Sequence, residues 1–423
     1  ETGRLEVDVT DLPDGKHSVR IVARDERGRE IENAPHFIPL WVEPAPFEWQ
    51  DATMYFVFTD RFRDSDRGAA APIAVPIPGV AEIANYQGGD FKGVIDAIEE
   101  GYFDRMGVNL LWLSPVQENP DGQWIATDRF NQFSGFHGYW PTHARQIEYR
   151  WGDVDGDAAD RLKELIAAAH ARGIRVMFDI PLNHVHQDHE YRRDNPSWFT
   201  AAPCPCNNDP SSTCGWDNPI GQLMCWFIEY LPDLDYRNHA IVERVAADVE
   251  WLVTEFDVDS FRIDAAKHMH HVIMRRIAMR LDERFVDGGG APFYLVGETF
   301  TGETGHGLIM DYVNDTELDG QYDFPLLYPI RDAFARDGSF RNLAARRRIS
   351  EEQYGRFYPW MSPFLGNHDI PRFSAIVFGE PGAWEGRPDP MDAGLNDSTW
   401  NLVNRMSQGF LYVLTQPGIP LIY

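Results

Sequence analysis

The chain has 423 residues, 43% hydrophobic and 13% aromatic, with a formal net charge of −28. That length exceeds one ordinary core and suits a barrel of about 250 residues or more beside a smaller domain. The charge excludes nucleic acid and anionic membrane as partners, because a polyanion would be repelled, and leaves a neutral substrate open.

Residues 1–46 read as β structure. Leu5-Glu6-Val7-Asp8-Val9 alternates like a strand already under way, and Ser18-Val19-Arg20-Ile21-Val22-Ala23 is a second strand across the turn cluster Leu12-Pro13-Asp14-Gly15-Lys16. The expectation is the last hairpin of a β-sandwich-like domain whose earlier strands precede residue 1, with Pro44-Ala45-Pro46 as linker.

From residue 47 the rhythm becomes strand, loop, helix. Strands are expected at Met54 to Phe58, Leu110 to Leu113, Arg175 to Ile180, Asp259 to Asp264, Tyr294 to Glu298, around Tyr322-Asp323-Phe324, at Met361 to Leu365 and at Pro420 to Tyr423. Helices fall between them, as at Arg161 to His170 before Gly173, and at Ile241 to Phe256 with Ile241, Val245, Val249 and Leu252 on one face. Such alternation implies a parallel sheet, and eight strands suit closure. The fold class is therefore α/β, a (β/α)8 TIM barrel.

Residues 185–232 interrupt the rhythm after strand 3 and read as an inserted subdomain between barrel segments 47–184 and 233–423. The barrel is expected to end at strand 8, short of its outer helix. Cys204, Cys206, Cys214 and Cys225 all lie in the insert. Two disulfides are the expectation and imply a secreted or periplasmic protein, with a zinc site or free thiols as alternatives. No run approaches the roughly 18 apolar residues of a membrane span.

Several expected strands end on a carboxylate: Phe261-Arg262-Ile263-Asp264, Tyr294-Leu295-Val296-Gly297-Glu298, and Phe364-Leu365 leading to Gly366-Asn367-His368-Asp369. Buried carboxylates are costly, and a ring of them at the C-terminal ends of barrel strands is how this architecture assembles an active site. Two or three carboxylates on one rim also serve glycosidic cleavage. Asp153, Asp155 and Asp157 have metal-like spacing, but Gly156 breaks the EF-hand order, so they are expected to favour the N-terminus of the next helix.

Six ordered segments carry a resemblance: Gly135-Phe136-His137-Gly138-Tyr139-Trp140, Asp179-Ile180-Pro181-Leu182-Asn183-His184, Leu231-Pro232-Asp233-Leu234-Asp235, Phe261 to His268, Gly297-Glu298-Thr299 and Asn367-His368-Asp369-Ile370-Pro371-Arg372. From about residue 51 to 423 the chain resembles the α-amylase family, glycoside hydrolase family 13. The resemblance implies that Asp264 is the nucleophile, Glu298 the general acid/base and Asp369 the third carboxylate. Arg262, two residues before Asp264 on the same side of the strand, favours the ionised form that attack requires. Val296 and Gly297 offer Glu298 no counter-charge, which suits a proton donor. His184 and His368 would bond sugar hydroxyls. Tyr139 would stack on the sugar, with His137 and Trp140 close by. Lys267 and His268 would lie on the leaving-group side, and Arg372 completes the last motif.

The same resemblance implies Ca2+ held by Asn183, Asp233 and the backbone carbonyl of His268, tying the insert to the barrel. Asp60, Asp64 and Asp66, with Gly68 nearby, resemble a second calcium loop. The expected activity is hydrolysis of α-1,4-glucosidic bonds in starch or maltodextrins by a monomer, with transglycosylation or isomerisation of α-glucans as the alternative and a non-catalytic binding homologue as a third reading.

Overall fold

Apolar runs too short for helices become the staves of one curled parallel sheet. The computed structural model describes residues 10–30, 36–69, 73–126, 129–201, 204–209, 212–378 and 397–423. In chain order the strands are β1 (Gly15–Ile21), β2 (His36–Val42), β3 (Met54–Val57), β4 (Leu110–Leu113), β5 (Trp124–Ile125), β6 (Gln132–Phe133), β7 (Arg175–Ile180), β8 (Ser260–Ile263), β9 (Tyr294–Gly297), β10 (Gly320–Gln321) and β11 (Leu421–Ile422). Seven of them form the sheet β10-β9-β8-β7-β4-β3-β11. The gap between β10 and β11 is spanned by residues 361–365, which pair through single bridges, Tyr322 with Ser362 and Phe364 with Leu421. Ser362 N donates to Gln321 O at 2.9 Å and Leu421 N to Pro363 O at 3.0 Å. The eighth stave thus closes the barrel.

Alternation sorts the side chains. Met54, Phe56, Leu110, Trp112, Met177 and Tyr322 belong to one buried cluster filling the interior, where Trp112 stacks on Phe56 at 3.8 Å and on Tyr322 at 5.3 Å. Val57, Leu111, Val176 and Phe178 belong to another, between sheet and helices. The helix Ala158–His170 begins at Asp157, whose side chain accepts from Ala159 N. Asn238 caps His239–Phe256, which ends on Asp257 in the left-handed region at φ 58°.

The strand expected around Tyr322 to Phe324 lies two residues earlier. Asp323 caps a helix, Phe324–Ala335, by accepting from Leu326 N, so the chain turns helical where the sequence suggested extension. A Cβ on Gly320 would meet Trp360 O at 2.0 Å, so that stave needs glycine.

The N-terminal strand expected at Ser18 to Ala23 overlaps β1. β1 pairs antiparallel with β2, while Leu5 to Val9 lies outside the described residues. The hairpin docks under the barrel: Lys16 Nζ lies 2.6 Å from Asp259 Oδ1, Trp41 Nε1 donates to the same oxygen at 2.9 Å, and Ala291 N donates to Pro39 O at 2.7 Å.

In the insert, disulfides join Cys204 to Cys214 and Cys206 to Cys225, leaving no free cysteine for zinc. They cross-link three short segments paired at Pro205 with Trp226 and Asn207 with Gly215.

Candidate active site

Register brings the charged residues together. β7 aligns Asp179 with Arg262 of β8, and β8 aligns Arg262 with Val296 of β9. Two residues further along the latter strands, on the same side, stand Asp264 and Glu298. Arg262 is fully buried and pairs with Asp179 at 2.9 Å, Asp264 at 2.6 Å and Glu298 at 3.0 Å. One guanidinium therefore serves three carboxylates. Glu298 does have a counter-charge, contrary to the expectation from its sequence neighbours. Burial nevertheless pushes Glu298 up to about 7; Arg262 works against that rise, while Asp369 and Asp264 add to it.

Asp179, whose position in the site the sequence did not reveal, accepts from Trp112 Nε1 at 3.1 Å, Tyr139 OH at 2.7 Å and Arg262 at 2.9 Å. Burial lifts it toward about 7. Trp112 and Arg262 can only donate, however, so the carboxylate is the form that fits this network. Asp369 stands in the open cleft with its side chain 47% exposed. Desolvation by the surrounding protein raises its carboxyl, Arg262 works against that rise and Asp264 adds to it.

The rings form the floor. Tyr139 and His368 are parallel, with centroids 5.0 Å apart, and Phe58 stacks on His368 at 5.6 Å. His184 Nε2 meets Tyr139 O at 3.0 Å, and Tyr139 N donates to His137 Nδ1 at 3.0 Å. Burial lowers His184, and takes His137, His268 and His368 to about 3, so all four are neutral at pH 7. Lys267 Nζ donates to Phe300 O at 3.1 Å, and burial lowers its pKa. His268 Nδ1 contacts Gln222 O of the insert at 3.0 Å.

Two expected substrate residues remain. Trp140 is 8% exposed; its ring lies 4.3 Å from that of His137 and packs with Ile228, Tyr230 and Leu231. Arg372 is exposed, with its guanidinium over Tyr423, and makes no ion pair among the described residues.

For calcium, Asn183 Oδ1 and Asp233 Oδ2 are buried without a hydrogen-bond partner. Their segments adjoin, since His184 bridges to Asp233 and Leu234 N donates to Asn183 O at 3.0 Å. Orphaned hard oxygens at the joint of insert and barrel fit Ca2+. The second loop departs from expectation. Asp64 and Asp66 cluster with Asp90, ligand oxygens within 4.8 Å of one another. Asp60 instead pairs with Arg61 and accepts from Gln87 N at 3.0 Å. Asp90 is too distant in sequence for spacing to reveal it.

A closed parallel barrel with a carboxylate cluster at its C-terminal rim defines an enzyme of the barrel glycoside hydrolase class. Residues 56–393 match the family described as alpha amylase, catalytic domain, and the chain belongs to that family, glycoside hydrolase family 13. It is 27% identical over 388 residues to the beta/alpha-amylase of Paenibacillus polymyxa, covering 89% of this chain and 27% of that protein. It is 28% identical over 408 residues to the cyclomaltodextrin glucanotransferase of Paenibacillus macerans, covering 91% of this chain and 51% of that one. The chain thus spans about a quarter to a half of these two relatives. Among solved structures, the alpha-amylase from Geobacillus thermoleovorans complexed with acarbose superposes with a TM-score of 0.68 at 25% identity, covering 89% of this chain and 71% of that chain.

Proposed function

We propose that the protein is a retaining glycosidase that hydrolyses α-1,4-glucosidic bonds in starch or maltodextrins. The observation that carries this is Arg262 bridging Asp264 and Glu298. Two carboxylates on one guanidinium are near neighbours, which suits double displacement rather than the wider pair of an inverting enzyme. Asp179 and Asp264 share NH1 of Arg262, and Glu298, on NH2, is the group best placed to carry a proton.

In the first step an Asp264 oxygen attacks the anomeric carbon. The glycosidic bond breaks and its oxygen takes the proton of Glu298. In the second step Glu298, now a carboxylate, removes a proton from water, and the resulting hydroxyl displaces Asp264 from the sugar. Asp369 accepts hydrogen bonds from the −1 sugar hydroxyls, and neutral His184 and His368 bond the same sugar. Tyr139, aligned by its hydrogen bond to Asp179, offers its ring as the stacking face. Lys267 and His268 border the leaving-group side. Asn183, Asp233 and the His268 carbonyl would hold Ca2+, which would fasten the insert to the barrel, and Asp64, Asp66 and Asp90 form a second acidic loop of the same character.

A neutral glucan suits a chain of charge −28, and disulfides suit export to a secreted or periplasmic setting. No described helix is long and apolar enough to cross a membrane. The same proposal has the chain acting as a monomer. The domain plan it uses is a β hairpin region to residue 46, a barrel in segments 47–184 and 233–423, and the insert 185–232.

Transglycosylation is the second reading, favoured by the similarity to a cyclomaltodextrin glucanotransferase. Incubation with soluble starch beside Glu298→Gln separates the two. New reducing ends that vanish in the variant support hydrolysis. Cyclic or lengthened products without new reducing ends support transfer. No change in either would refute both.

A further inference from the structure

Arg331 is a buried cation that the reaction proposed above does not use. It lies on the helix Phe324–Ala335, is 5% exposed, and pairs with no carboxylate among the described residues. Burial, with Arg336 adding to it, pushes its pKa down to about 10, so it is still charged at pH 7. A buried charge is costly unless something compensates it. Here the partners are two backbone carbonyls: Nε donates to Leu365 O at 2.8 Å and Nη2 to Pro371 O at 2.6 Å.

Those carbonyls bracket residues 366–370, the loop that carries His368 and Asp369. Among the described residues, no backbone–backbone hydrogen bond involves residues 366–371. Within the loop Asp369 N donates to Asn367 Oδ1 at 3.0 Å, and the His368 ring stacks on Phe58 and Tyr139. Side chains therefore hold this loop in place of a ladder, and the Arg331 fork is the contact that joins its two ends. A planar guanidinium presents its donors at fixed angles and so sets the spacing of two acceptors, which a lysine ammonium on its flexible stem does not.

The same helix reaches the neighbouring rim loop. Phe324, Tyr328 and Arg331 are spaced four and three residues apart, which puts them on one face. The Phe324 ring lies 4.9 Å from that of Phe300, and Tyr328 OH donates to Thr301 O at 3.0 Å, both in the segment after Glu298. One helix face thus fastens the loops of two rim carboxylates.

We propose that Arg331 is a positioning residue: by bridging Leu365 O and Pro371 O it fixes the loop that presents Asp369 to the sugar. The inference rests on the role proposed above for Asp369.

The test is a double-mutant cycle between Arg331→Met and Asp369→Asn in the full chain. It is read as kcat/KM for fluoride release from α-maltosyl fluoride, which reports hydrolysis and transfer alike, beside the melting transition. Arg331→Met alone should lower the rate about 10²-fold, and Arg331→Lys, which keeps the charge without the fork, about tenfold. In the Asp369→Asn background either substitution should cost no more than about threefold, because the group it positions is already gone. The lysine variant carries the cycle if the methionine variant fails to fold. Equal losses in both backgrounds mark a purely structural arginine and overturn the inference, as does full activity in Arg331→Met. A parent chain that releases no fluoride, or an Asp369→Asn chain as fast as the parent, refutes the proposed reaction itself, and the inference with it.

Discussion

The two ends of the barrel bury aspartates on adjacent staves and treat them in opposite ways. At the C-terminal rim one arginine serves Asp179, Asp264 and Glu298, and burial, with Asp369 and Asp264 adding to it, pushes Glu298 up to about 7. At the N-terminal end Asp259 is surrounded by donors: Lys16 at 2.6 Å, His170 Nε2 at 2.8 Å, Trp41 Nε1 at 2.9 Å and Val176 N at 2.9 Å. Although burial opposes it, this company holds Asp259 far below the usual carboxylate range. In the function proposed above the buried rim carboxylates, sharing one cation, serve proton transfer, whereas Asp259, with plentiful donors, is a clamp. Rim charges act on reactivity, and underside charges act on stability.

Substitution should split along that line. Glu298→Gln is expected to lower starch hydrolysis by about 10²- to 10⁴-fold because it removes the proton carrier, with little change in the melting transition. Reducing-end assays beside calorimetry check this. Asp259→Ala should do the reverse. It leaves buried Lys16 with Asp257 alone and strands the Val176 N–H, and the expected loss is about 3–5 kcal/mol, read by urea unfolding, with unchanged activity per folded molecule.

The pH dependences should also diverge. Asp259 is depressed in the folded state, so its contribution is complete above the unfolded carboxylate value of about 3.9. It is lost as pH falls below that value toward the folded one, and urea midpoints between pH 3 and 6 should show the loss flattened in Asp259→Asn.

Calcium binding sits between the two ends in expected size. If Asn183 and Asp233 hold Ca2+, chelation should lower stability by about 2.7 kcal/mol relative to calcium at a hundred times its dissociation constant. Asn183→Ala should abolish the difference between chelated and calcium-loaded melts. The smallest effect belongs to Arg372→Ala. Exposed and outside the Arg262 network, it should change stability by no more than about 0.5 kcal/mol. A larger loss of activity would restore Arg372 to the cleft.

Much of this was legible in the sequence because strand ends announce themselves. Apolar runs closing on Asp264 and Glu298 marked two staves, and the Cys-bearing interval marked the insert. The stave at residues 361–365 was also expected, and the structure holds it to its neighbours by single bridges. β2 was missed because Pro39 interrupts its pattern, which an edge strand tolerates. The sharing of Arg262 among three carboxylates was invisible for another reason. Spacing along one strand shows Arg262 beside Asp264, but only cross-strand register shows Asp179 on one side and Glu298 on the other.

The central claim, that the Glu298 proton is delivered to the leaving oxygen, is best tested by kcat/KM against pH for two substrates. Maltoheptaose needs a protonated leaving group, whereas α-maltosyl fluoride departs without one. The account predicts a fall above about pH 7 for maltoheptaose and no such fall for the fluoride. An alkaline limb at the same pH for both substrates would contradict it.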